Sequence, residues 1–160
     1  MRKLTACILI LIASSFATAG DALLTVTGDI ARHANESTDS RIFSDKELLT
    51  LPQHTIKTST AWTPQSRFTG PRLSDVLEKS GARGRLVEVH CLDNYSYTLT
   101  LEEIKRYQPI LAHSMDGKRL SVSDFGPLFL VYPRDQYPKE LRTPMAEAKF
   151  GWQINGLKVK

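Results

Sequence analysis

Between residues 23 and 159 the apolar residues come in short runs, and each run meets a turn signal before it can grow into a long helix. No other feature constrains the fold as much. Residues 23–30 are rich in aliphatic and β-branched side chains and predict a first strand, followed by a hydrophilic loop at 31–40 and a return strand at Arg41-Ile42-Phe43. Further strands are expected at 54–60, 85–92, 95–99, 110–115 and 127–132, with short extended pieces at 67–70 and 120–122. A closing strand pair is expected within 150–159, around the turn signal Asn155-Gly156. Helices are few and brief. Ser44 stands three residues before Glu47, a capping-box spacing, and Thr100 stands three before Glu103. Pro71 opens a third helix, with Leu73, Val76 and Leu77 on one face and Gly81 at its close. No repeat, linker or low-complexity tract divides the chain. The expectation is a single β-rich α+β domain with short helices.

Its first 19 residues read differently. Arg2 and Lys3 precede the apolar run Leu4-Thr5-Ala6-Cys7-Ile8-Leu9-Ile10-Leu11-Ile12, and Ala17-Thr18-Ala19 supplies small residues for cleavage. This order predicts a secretory signal peptide at 1–19, a mature domain at 20–160, and a periplasmic location without membrane insertion. Arg2 and Lys3 take two of the 21 basic side chains with them, leaving 19 against 17 acidic ones. So even a balance argues against nucleic acid, which calls for a clustered basic face. Of the two cysteines, Cys7 lies in the leader, so Cys91 is the single mature thiol and no intrachain disulfide is expected. His33, His54, His90 and His113 are scattered without zinc-ligand spacing. Nucleophile elbow, P-loop and dinucleotide fingerprint are all missing, and no catalytic residue is assigned. His90 and Cys91 are adjacent on one strand, so they point to opposite faces and make a poor nucleophile pair.

Four segments then carry a resemblance. Phe68-Thr69-Gly70-Pro71-Arg72-Leu73 with Val76-Leu77, the turn Asp93-Asn94-Tyr95-Ser96, Leu111-Ala112-His113-Ser114-Met115-Asp116-Gly117 with Gly126-Pro127-Leu128, and Gly151-Trp152-Gln153-Ile154 follow one another in order. Together they resemble the sulfite-oxidase-like molybdopterin-binding domains. One departure concerns the chemistry. The cysteine that binds molybdenum in that family would fall within Ile56-Lys57-Thr58-Ser59, at Thr58, and a hydroxyl does not replace a soft thiolate. The chain is more similar still to small periplasmic pterin-binding regulators (PruR-type) that lack this cysteine. The carrying residues are Leu51-Pro52-Gln53-His54-Thr55-Ile56 through Trp62, then Met115-Asp116-Gly117-Lys118 and Val131-Tyr132-Pro133-Arg134-Asp135. Asp93-Asn94 stands where that group has Asn-Asp.

What the resemblance implies is capture of a reduced pterin rather than molybdenum cofactor, without enzymatic activity, by a protein that acts on the periplasmic domain of an inner-membrane cyclic-di-GMP enzyme. The alternatives are a molybdopterin-dependent oxidoreductase subunit or cofactor-holding protein, and a binding protein for another small aromatic ligand. A flat bicyclic ligand needs an aromatic face and in-plane donors and acceptors. Trp62, in a Thr- and Pro-rich loop, either stacks on the ligand or packs the loop, whereas Trp152 reads as core. Arg134 and Asp135, at the end of a hydrophobic strand, offer a fork of donors and an accepting carboxylate, or form an ordinary surface pair. Asp93 and Asn94 form a turn and offer polar contacts, and Tyr95 shares a strand face with Tyr97. The candidate ligand residues are thus Trp62, Asp93, Asn94, Tyr95, Arg134 and Asp135.

Overall fold

A computed structural model describes residues 22–31 and 40–160; the expected leader at 1–19 and most of the expected loop at 31–40 lie outside the described residues. Strand β1 (Ala22–Gly28) buries Leu24 and Val26 on one face and pairs antiparallel with β2 (Ser40–Ser44), the expected return strand. Ser44 then caps helix α1 (Asp45–Thr50): its Oγ accepts from the Glu47 N–H at 3.3 Å, and Glu47 Oε2 accepts from the Ser44 N–H at 3.0 Å. Strands β3 (Gln53–Thr58) and β4 (Ser66–Pro71) pair antiparallel. Helix α2 (Leu73–Lys79) turns Leu73, Val76 and Leu77 into the core, as their spacing predicts.

Strands β5 (Leu86–Cys91) and β6 (Ser96–Thr100) form a hairpin, and Thr100 caps α3 (Leu101–Tyr107) by accepting from the Glu103 N–H at 3.1 Å. The expected strand at 110–115 is two strands in two sheets. β7 (Ile110–Ala112) pairs with β10 (Phe129–Val131), while β8 (Ser114–Met115) pairs with β4 and with β9 (Lys118–Arg119). His113 is the pivot between them. The expected extended piece at 120–122 forms no strand, and a turn over 122–125 begins at its last residue. Two short helices, α4 (Pro138–Leu141) and α5 (Pro144–Glu147), each open on a proline, whose fixed φ suits a first helical position.

β11 (Ile154–Val159) closes the molecule as one strand, not the expected hairpin. It lies between β1, to which it is parallel, and β5, to which it is antiparallel, with a bulge between Ile154 and Gly156. Asn155-Gly156 is a strong local turn signal, but hydrogen bonding on both edges of the strand overrides it. The result is a five-stranded sheet in the order β2-β1-β11-β5-β6, a four-stranded sheet β3-β4-β8-β9 and the pair β10-β7. Leu24, Val26, Val87, Val89 and Leu157 from the large sheet meet Phe68, Leu111 and the run 128–132 in one buried cluster. This is the β-rich α+β domain that the sequence predicts. Gly70 shows how closely the layers approach, because a Cβ there would sit 2.0 Å from the Leu111 carbonyl oxygen.

Candidate functional site

Strand alternation sets one wall. β5 buries Val87, Val89 and Cys91 on its inner face, and because the strand ends at Cys91 the thiol meets a cavity rather than the core centre. The β5–β6 turn supplies the next wall. Asp93 Oδ1 accepts from the Tyr95 N–H at 2.9 Å, and Asn94 takes a left-handed φ of 67°, a conformation its short polar side chain tolerates. Opposite them, Thr60 accepts through Oγ1 from the N–H groups of Trp62 and Thr63, at 3.1 and 3.0 Å, and is bonded to the Thr63 hydroxyl at 2.9 Å. That compact turn holds Trp62 outward, 44% exposed. A segment leaving α5 completes the enclosure with Ala148, Phe150, Gly151 and Trp152.

The cavity measures about 270 Å³ and is lined by Trp62, Cys91, Asp93, Tyr95, Ala148, Phe150, Gly151 and Trp152. Trp62 meets Trp152 edge to face, with centroids 4.6 Å apart and planes at 81°. Trp152 in turn contacts Phe125 and Phe129, so the pocket's aromatic wall is continuous with the core. The Tyr95 hydroxyl donates to the Ala148 carbonyl at 3.1 Å, and the Tyr97 hydroxyl accepts from the Gly151 N–H at 3.3 Å. These two bonds fix the fourth wall against the hairpin. Burial pushes the Tyr97 phenol well above its ordinary range, so it stays protonated as a hydrogen-bonding post.

Of the six candidate ligand residues, the structure brings Trp62, Asp93 and Tyr95 together in this pocket. Asn94 shapes the turn beside it without lining it. Arg134 and Asp135 stand outside the lining, in a polar network of their own. Arg134 donates to Ser59 Oγ at 2.9 Å and forks onto Glu147. Asp135 accepts from the Ser59 N–H and hydroxyl at 2.8 and 2.7 Å, and from Gln65 and Arg142. Partial desolvation pushes the Asp135 carboxyl upward, but the bonds from Ser59, Gln65 and Arg142 together hold it far below the ordinary aspartate range. Ser59 is the root of the Trp62 loop, and Glu147 immediately precedes the Ala148–Trp152 wall. The network therefore braces two walls of the pocket.

Sequence reasoning missed Cys91, Phe150 and Trp152 as lining residues. The signal for Cys91 was its phase with Val87 and Val89. Trp152 and Phe150 were hidden because the segment read as a closing strand, whose aromatics belong in a core.

A metal–thiolate does not fit these residues. Thr58, at the expected ligand position, is fully buried, and its hydroxyl bridges the Ser59 carbonyl and the Asp135 N–H, at 3.3 and 3.0 Å. Burial, then the charge of Asp93, pushes the Cys91 thiol up to about 11, which leaves it protonated at neutral pH. Among the described residues no group of three or more His, Cys, Asp and Glu side chains converges on a common metal position.

The class of protein that this fold and site define is a mixed-sheet α+β domain with a solvent-open aromatic pocket between its loops. The family model described as oxidoreductase molybdopterin binding domain matches residues 34–136, more than half of the chain, and the chain belongs to that family. No curated protein matches it. The matched segment supplies Trp62, Cys91, Asp93 and Tyr95, while the wall at 148–152 comes from beyond it.

Proposed function

We propose that this chain is an exported pterin-binding protein that works in the periplasm without molybdenum catalysis and without enzymatic activity of its own. The observation that carries the reading is the pocket itself. Two tryptophans, a phenylalanine and a tyrosine surround a cavity whose only carboxylate among the described residues is Asp93. A pterin presents flat faces for the aromatic rings and a 2-amino and ring N–H edge for an accepting carboxylate. Asp93 keeps Oδ1 on the turn, and its second oxygen has no hydrogen-bond partner among the described residues.

Family membership supports a pterin-type ligand, and the protonated Cys91 and occupied Thr58 weigh against a metal bound through sulfur or hydroxyl. A protein without catalytic machinery transmits occupancy only through a partner whose affinity differs between the two states. We assign that role to the periplasmic domain of an inner-membrane cyclic-di-GMP enzyme, following the resemblance to the pterin-binding regulators. The Ser59–Arg134–Glu147 brace supports this coupling, since it joins the Trp62 loop to the polar segment carrying Tyr137, Lys139 and Arg142.

Tryptophan fluorescence titration with a reduced pterin tests the pocket. Trp62→Ala should weaken binding by about tenfold or more, the scale of lost aromatic stacking, while unliganded stability changes little because the side chain is half exposed. Unchanged affinity would move the stacking platform elsewhere. Partner affinity, measured with and without pterin in wild type and Arg134→Ala, tests the coupling. The wild type should respond to pterin and the variant should not; a wild type indifferent to pterin would leave only a carrier. Stoichiometric molybdenum in the purified protein would instead favour the cofactor-holding oxidoreductase reading.

A further inference from the structure

We infer that the pocket selects pterins lacking an anionic side chain, and that Asp93 is the residue that sets this selectivity. The inference rests on the pterin reading and goes beyond it, because the family's name implies a phosphate-bearing molybdopterin. Charge is the ground. Among the described residues the lining contains no lysine, arginine or histidine, and Asp93 is its one acidic side chain. Two basic residues on the elements that build its walls, Lys149 within the 148–152 segment and Arg134 in the brace, are already committed. Lys149 Nζ lies 2.6 Å from Glu103 Oε2, and Arg134 is forked onto Glu147.

A phosphate group at the cavity mouth would therefore face a free carboxylate oxygen, with no cation available among the lining side chains. The amino-pyrimidinone edge meets the opposite condition, since its N–H groups are donors that this oxygen accepts. Asp93 also raises the pKa of Cys91, after burial, through its charge, so its field is felt at the neighbouring cavity wall.

Dihydroneopterin and dihydroneopterin monophosphate differ only in the phosphate, so calorimetric titration of the full mature chain with both isolates the effect. In low salt the monophosphate should bind about tenfold more weakly or worse, the consequence of placing like charges a few ångströms apart. The gap should shrink as salt screens it. Asp93→Asn keeps an Oδ1 acceptor for the Tyr95 N–H, so the turn survives, and it should bring the two affinities within about threefold of each other. Equal affinities in wild type, or tighter binding of the monophosphate, would overturn the inference and leave the pterin reading standing. A gap that persists in Asp93→Asn would remove Asp93 from the role. Failure of both compounds to bind would instead overturn the pterin reading.

Discussion

Cys91 illustrates how one position carries two roles. Its place on the inner phase of β5 makes it a buried small residue, as its strand context predicts, and its place at the strand's end also makes it part of the cavity wall. Because burial and Asp93 push its pKa up from 9.0 to about 11, its neutral form is favoured by folding. The linked stability is fully present below pH 9.0 and declines as pH rises toward 11. Alkylation with iodoacetamide at pH 8 should run at least about tenfold slower than for a free peptide thiol, and a bound pterin should slow it further. Rapid, pterin-insensitive alkylation would contradict a protonated thiol inside the ligand cavity. Trp62 was legible as an exposed loop aromatic, because its Thr/Pro-rich neighbours do not build a strand. Trp152 was not, because packing on Phe125 and lining a pocket leave the same trace in a sequence.

Elements with a local cause were read most easily. The Ser44–Glu47 box and the Thr100 cap depend on residues three apart, and both are present. Ser44→Ala should cost about 1 kcal/mol in denaturant unfolding. Elements with a distant cause were misread: β11 exists because β1 and β5 flank it, and β7 and β8 separate because their partners lie in different sheets. Gly70 belongs to this second kind. Gly70→Ala would drive a methyl group into the Leu111 carbonyl, and should cost about 3 kcal/mol or more in the same assay. A change under about 1 kcal/mol would mean that β4 and β7 can separate at little cost. The Asp135 brace makes a prediction about acid. Its depressed pKa means that its contribution is present above the ordinary aspartate value of 3.8 and is lost as pH falls below it. Asp135→Asn should lower stability at pH 7 by about 2 kcal/mol and flatten the acid limb of the stability profile. An unaltered acid limb would place the acid sensitivity elsewhere.

At the scale of the whole molecule, the β-rich α+β class followed from short apolar runs and frequent turn signals, and membership of the molybdopterin-binding family agrees with three of the four ordered segments, the fourth at 151–154 lying beyond the matched residues. Which residues meet across the fold was less legible. The pocket draws on a loop, a hairpin turn and a segment near the C-terminus, and only folding places these side by side. Fold alone does not fix ligand. We propose that this arrangement holds a pterin rather than a molybdenum cofactor. Mass spectrometry of the small molecules released from protein purified out of the periplasm, with metal analysis of the same sample, tests it most directly. An unphosphorylated reduced pterin at close to one per chain, without stoichiometric molybdenum, is the predicted result. Molybdenum with phosphorylated molybdopterin, or a ligand of another class, would contradict it.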